Sequence, residues 1–377
     1  MQLMLGGAVL SACATAPAAP PVNTRVPTVA APTSTPARAA APTLFPSLTP
    51  PPLENRTPEP TQTPAPRLRP LTTGGCCVQP FFSPDGAQVW YLDKPSDTQP
   101  AGVWGVPADG GGAPAFITDR LGIFSPDGAL SAYPEAGLTY VERVATGERW
   151  PVPAAGRAIL FAPDSAQIAW QTASSTINFD RRVVEVWAAA VDGTQSRSIA
   201  RLIGGGVVDW FPDSRRLLVT GRAEAGAEPA LLAVDVATGA LTPLATVANV
   251  RGALLSPAGG WLAYQVTFSG DAAQDGLWIL PMAGGEPRRL ALFGAYRWRA
   301  EGRLLIVPLE AAGGSQRLVS ADAATGALTD LTDPRVTAFR IAAGDWALSP
   351  DGRRVVFVNA ADDNLWLLEL PDTGGPP

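Results

Sequence analysis

From residue 67 onward the chain repeats one pattern: an apolar run, a tight polar turn, and a second apolar run. The clearest copy is Leu348-Ser349-Pro350-Asp351-Gly352 followed by Val355-Val356-Phe357-Val358. Pro fixes φ at the second turn position, Asp suits the third, and Gly is favoured at the last. Apolar β-formers on both sides of such a turn predict a β-hairpin. Close copies lie at Phe82–Gly86, Phe124–Gly128, Phe161–Ser165, Trp210–Ser214 and Leu255–Gly259, with a weaker one at Trp298–Gly302. Each hairpin is followed by a variable loop and, in most copies, a third apolar run, such as Val103–Val106, Val183–Trp187 or Leu277–Leu280. A second turn comes next, for example Asp109-Gly110, Thr238-Gly239 or Thr325-Gly326, whose glycine supplies the positive φ of a short hairpin. A fourth short strand follows, as in Phe116–Thr118 or Leu328–Leu331.

The turn prolines Pro84, Pro126, Pro163, Pro212, Pro257 and Pro350, with Ala300 in the weak copy, recur at spacings of 37 to 50 residues. A period near this length marks a repeat architecture, and an all-strand unit of four strands marks a β-propeller blade. The expected fold class is all-β: a seven-bladed β-propeller of four-stranded antiparallel blades, with six or eight blades as alternatives. The seventh repeat lacks a fourth strand, and Arg67-Leu68-Arg69-Pro70-Leu71-Thr72 resembles what other repeats place fourth. It is expected to pair with Leu365–Leu368 and close the ring, with Pro70 tolerated at the outermost position.

The hydrophobic-Ser-Pro-Asp-Gly hairpin, a third strand, a Gly-Gly or Asp-Gly turn and an Arg-Leu-Thr-like strand together resemble the TolB-type propeller repeat. The spelling Trp210-Phe211-Pro212-Asp213-Ser214 is also similar to that family's, and the resemblance covers residues 67–377. It implies the propeller fold far more than any function. TolB itself carries an α/β domain before its propeller, whereas this chain has a Pro-rich stretch there.

Residues 1–12 are short and apolar and run through Leu10-Ser11-Ala12 into Cys13, which resembles a bacterial lipoprotein signal peptide with its lipobox. The resemblance implies that Cys13 is the lipidated N-terminus of the mature protein. Its departure is the absence of Lys or Arg in Met1–Met4. Residues 13–66 are then read as a tether rich in Pro, Ala and Thr, with too few large apolar side chains to form a core. The expected organisation is leader 1–12, tether 13–66 and propeller 67–377, with the domain held outside the cytoplasm on a membrane by the lipid alone.

Composition removes several classes of function. The chain of 377 residues has a net charge of −6, a single lysine (Lys94) and no basic cluster, so nucleic acid is not an expected partner. It has no histidine, which removes the commonest general base and metal ligand and any Ser-His-Asp triad. No Gly-x-Ser-x-Gly elbow occurs. The turn aspartates Asp85, Asp127, Asp164, Asp213 and Asp351, with Gly86, Gly128 and Gly352, recur at turn positions and are read as shaping the turns. Most of the eleven tryptophans fall in strands and are read as packing between blades. Adjacent Cys76 and Cys77 are read as two thiols, because neighbouring Cα atoms lie closer than disulfides prefer. No catalytic residue, metal site or cofactor is expected.

What remains is binding. Loops after the second strand of each repeat differ in length while the hairpins stay alike, so specificity is expected there. The segment with Phe179, Asp180, Arg181 and Arg182 is the most contact-capable. The expected function is a monomeric, non-catalytic scaffold for a protein or cell-envelope polymer. The alternatives are a solute- or glycan-sensing module and a propeller hydrolase or lyase that uses carboxylates.

Overall fold

A computed structural model describes residues 67–371, apart from 176–177, 291, 310–313 and the side chain of 343. The leader, Cys13, the tether and the last turn at Asp372-Thr373-Gly374 lie outside the described residues.

The chain begins with β1 (Arg67–Pro70). The first sheet takes β2 (Val78–Phe82), β3 (Gln88–Asp93), β4 (Gly102–Pro107) and β5 (Ala115–Thr118). The second takes β6 (Ile123–Phe124), β7 (Leu130–Glu135), β8 (Leu138–Arg143) and β9 (Arg149–Val152). The third is seven-stranded: β10 (Leu160–Phe161), β11 (Gln167–Ala173), β12 (Val183–Ala190), β13 (Arg197–Trp210), β14 (Arg216–Arg222), β15 (Ala230–Asp235) and β16 (Leu241–Thr246). The fourth has β17 (Val250–Leu255), β18 (Trp261–Val266), β19 (Gly276–Pro281) and β20 (Arg288–Leu290). The fifth has β21 (Gly294–Ala300), β22 (Arg303–Pro308), β23 (Val319–Asp322) and β24 (Leu328–Asp330). The sixth pairs β25 (Ile341–Leu348), β26 (Arg354–Asn359) and β27 (Leu365–Glu369) with β1 at its outer edge.

The expectation of seven separate four-stranded blades is therefore corrected. The described residues form five four-stranded sheets and one seven-stranded sheet. The cause lies in β13, whose 14 residues run without a turn through the last strand of one repeat and the first of the next. Its first half pairs with β12, from Arg197↔Ala188 to Ile203↔Val183, and its second half pairs with β14. Between the halves stand Gly204, Gly205 and Gly206, with φ of 69°, 62° and 159° and two register shifts beside them. A Cβ on Gly205 would lie 2.1 Å from the Thr220 carbonyl oxygen, so only glycine lets the strand bend here.

The N-terminal strand does close the sixth sheet. β1 pairs antiparallel with β27, with Leu68 opposite Leu368 and Pro70 opposite Trp366. Leu71 N donates to Leu365 O at 2.7 Å, and Leu365 N donates back to Thr72 Oγ1 at 2.9 Å. Leu71 enters a core that joins Val89, Tyr91, Trp104 and Val106 of the first sheet to Val356, Val358, Leu365 and Leu367 of the sixth. Burying one such aliphatic side chain stabilises the fold by about 1.5–3 kcal/mol.

In four antiparallel strands, the first and third turns lie at one end and the sheet-to-sheet connections at the other. The Ser-Pro-Asp-Gly turns thus share one face, where neighbouring turns interlock. A Cβ on Gly128 would touch Pro84, one on Gly86 would touch Pro350, and one on Gly259 would touch Pro212. Asp127 N donates to Ser165 Oγ at 3.3 Å and Asp164 N to Ser214 Oγ at 3.0 Å. Glu301 accepts from Ser256 Oγ at 2.9 Å and from Ala258 N at 2.8 Å. Arg299 Nε donates to Gly352 O at 2.9 Å, and Arg354 Nη2 to Gly86 O at 2.9 Å across the ring seam. The turn face is a continuous collar.

Candidate binding site

The turn aspartates act on their own backbone. Ser83 Oγ donates to Asp85 Oδ1 at 2.6 Å, and Ala87 N donates to the same oxygen at 3.0 Å. Asp127 and Asp351 repeat this with Ser125 and Ser349. Asp164 keeps only the amide donor, Ala166 N at 2.9 Å, while Asp213 accepts from Arg215 N at 2.9 Å and from Arg216 Nε at 2.8 Å. The serine hydroxyl and then the amide hold Asp85 and Asp127 below the usual carboxylate range. Gly86, Gly128 and Gly352 have φ near +70°, as the last turn position requires.

The segment singled out for binding forms a short 3-10 turn, Phe179–Arg181, in the connection between β11 and β12. The Arg182 guanidinium stacks 3.9 Å from the Phe179 ring centre, and Arg182 Nη2 donates to Gly205 O at 2.8 Å. Arg222 Nη1 reaches Asp180 O at 3.4 Å. Arg182 therefore braces the glycine bend of β13 with Phe179 stacked on it, while Phe179, Asp180 and Arg181 are exposed.

Cys76 and Cys77 correct the sequence reading, because they are joined by a disulfide with Cα atoms 3.5 Å apart. Cys77 adopts φ of 123°, which departs from the extended backbone that would aim adjacent side chains apart. The pair lies in the connection from β1 to β2, with Cys76 N donating to Asp363 O at 2.8 Å.

The feature that sequence reasoning missed lies between the first and second sheets. Buried clusters bridge the sixth and first sheets, the second and third, the third and fourth, the fourth and fifth, and the fifth and sixth. Between the first and second, a cavity of about 910 Å³ takes the place of such a core. Phe81, Trp90, Leu92 and Val103 line one wall, and Phe124, Ala132, Tyr133 and Thr139 the other. Phe81, Trp90 and Phe124 meet across it, with ring centres 4.8–6.1 Å apart. The cavity extends to Ile159, Ala347 and Leu348, which belong to or adjoin the first strands of other sheets.

Short inner strands make this space. β6 and β10 have two residues each, whereas β17, β21 and β25 have six to eight. First strands of neighbouring sheets touch where they are long: β25 with β2, β21 with β25, β17 with β21. Leu121, Gly122, Arg157 and Ala158, from sheet-to-sheet connections, line the end of the cavity opposite the turn face, while Pro84, Pro126 and Pro350 line the other end.

The lining is apolar apart from Gln79, Ser83, Ser125, Thr139, Arg157 and the polar ends of Trp90 and Tyr133. Ser83 and Ser125 are committed to their turn aspartates, and Thr139 Oγ1 donates to Arg157 O at 2.7 Å. No carboxylate lines it. Two inner-strand carboxylates are outside the lining, one of them on the amide of the lining Gln79. Asp345 accepts from Gln79 N at 3.1 Å, and Asp209 is raised above its usual range by burial. Among the described residues no group of three His, Cys, Asp or Glu could hold a metal ion.

No protein-family model and no curated protein matches the chain. Solved structures do. An oligogalacturonate lyase in complex with manganese has 15% identity and a TM-score of 0.61, over 83% of this chain and 95% of that one. An oligogalacturonate lyase from Vibrio parahaemolyticus has 11% identity and a TM-score of 0.57, over 82% and 98%. A putative TolB from Agrobacterium tumefaciens has 15% identity and a TM-score of 0.40, over 68% and 94%. At these identities the likeness is one of fold. The chain is an all-β propeller, with oligogalacturonate lyases among its fold neighbours.

Proposed function

We propose that this protein is a non-catalytic binding module, held outside the cytoplasm by a lipid on Cys13, whose ligand site is the cavity between the first two sheets. One observation carries the reading: a preformed apolar cavity of about 910 Å³ stands where the other neighbouring sheets share a core. Ligand sites are typically concave, largely apolar and furnished with few polar groups. The absence of a carboxylate in the lining argues against general acid–base chemistry there. A solute is favoured over a flat protein dock because the apolar surface is recessed.

The test is titration of the full chain with Nile red, a neutral apolar dye. One equivalent should bind, and Ala158→Trp should abolish binding with the melting temperature unchanged. Saturation unaffected by Ala158→Trp would overturn the reading, as would release of unsaturated product from oligogalacturonate.

A second reading has its own support. Phe268, Leu309 and Val336, each about four-fifths exposed (86%, 83% and 79%), stand on connections at the end opposite the turn collar. Such a sector suits docking of a protein or cell-envelope polymer.

A further inference from the structure

The cavity carries one charge, and its sign is informative. In a chain of net charge −6, its lining contains Arg157 and neither Asp nor Glu. The Arg157 guanidinium is uncommitted in practice: Nη1 reaches Ala154 O and Ala155 O only at 3.5 Å, and among the described residues it makes no ion pair. Its backbone is held, because the buried Thr139 hydroxyl donates to Arg157 O at 2.7 Å. An exposed arginine side chain on an anchored backbone thus stands at the end of the cavity framed by Leu121, Gly122 and Ala158.

Resting on the binding reading above, we propose that the cavity takes a single-chain alkyl carboxylate, with the alkyl chain among Phe81, Trp90, Phe124 and Leu348 and the carboxylate on Arg157. The walls select the alkyl chain. The cavity's Ser83, Ser125, Tyr133 and Thr139 hydroxyls already have partners, which leaves Gln79 as the one neutral side-chain amide for the many amides of a peptide, whereas methylenes need none. Arg157 selects the head group, because a guanidinium binds a carboxylate through paired charge-assisted hydrogen bonds.

The full chain is titrated with decanoate and with 1-decanol, following Trp90 and heat. Decanoate should bind at one equivalent, about two- to fivefold tighter than the alcohol, the range of an exposed charge pair. Arg157→Gln should erase that preference without changing the melting temperature. Leu121→Glu, at an exposed lining position, should weaken decanoate and spare the alcohol. Equal affinities for decanoate and alcohol in the parent chain, or a preference that survives Arg157→Gln, would overturn this inference while Nile red binding kept the cavity reading intact. An apolar peptide with a free C-terminus that displaced decanoate at lower concentration would also overturn it. Failure of decanoate, decanol and Nile red together would remove both.

Discussion

The two ends of the propeller are built on opposite terms. At the turn face, seven turns of nearly one sequence touch in a closed series, each aspartate satisfied by its own hairpin or its neighbour's serine. At the opposite end no two connections are alike: Ala136-Gly137 joins β7 to β8, while residues 94–101 join β3 to β4. Large apolar side chains there, Phe268, Leu309 and Val336, are about four-fifths exposed (86%, 83% and 79%), whereas Val144 and Leu328 at the turn end are 43% and 48% exposed. Repetition of a turn follows from its role in holding sheets together. Variation at the other end follows because the hydrogen bonds of the strands do not depend on it. Changes on the collar and seam should therefore cost stability and spare ligand binding, and changes at the loop end should do the reverse.

The largest effect is expected at the seam. Deleting residues 67–72 removes Leu68, Leu71 and the Thr72 hydroxyl together and leaves β27 with an open edge. The melting temperature should fall by roughly 10 °C, with aggregation on heating. Scanning calorimetry with light scattering measures both, and an unchanged transition would place ring closure elsewhere. Next comes Gly352→Val on the collar, where φ is +67° and a Cβ would lie 2.4 Å from the Arg299 carbonyl oxygen. Strain of about 1–3 kcal/mol should appear in denaturant melts. Nile red affinity should stay at the parent value.

A smaller effect is expected in alkali. Burial pushes the Tyr91 and Tyr264 hydroxyls up to about 12, from the usual 10. The folded state keeps them neutral while the unfolded state ionises them. Their stabilising contribution is thus complete below pH 10 and is lost as pH rises toward about 12. Tyr264→Phe should flatten that limb, as melts at stepped pH would reveal. The smallest effect is expected from Phe268→Ser at the loop end, below about 0.5 kcal/mol in the same melts. A large loss there would mean that the loop end is as structural as the collar.

The hairpins and the closing strand were legible from local spelling: Pro and Gly at set turn positions, and at Arg67–Thr72 the likeness to the fourth strand of other repeats. β13 was not, because the break between the repeats has no turn residue pair and Gly204-Gly205-Gly206 reads equally as a loop or a bend. The joining of Cys76 to Cys77 depends on one backbone angle at Cys77 that residue types do not encode. The cavity was illegible for a different reason. It arises from what β6 and β10 do not span, and its walls use the same Phe, Trp and Val that fill cores elsewhere.

The pairing of β1 with β27 sets Arg67 opposite Glu369, so the described fold begins and ends on neighbouring strands. Such a ring is a loop of chain nicked at one place, and the nick can in principle be moved. A short linker joining these ends and a new opening at exposed Glu224–Gly226 would keep all six sheets whole, each with its strands uncut. An opening inside Gly204–Gly206 would divide the seven-stranded sheet, so circular permutation separates the interchangeable connections from the one strand that cannot be cut.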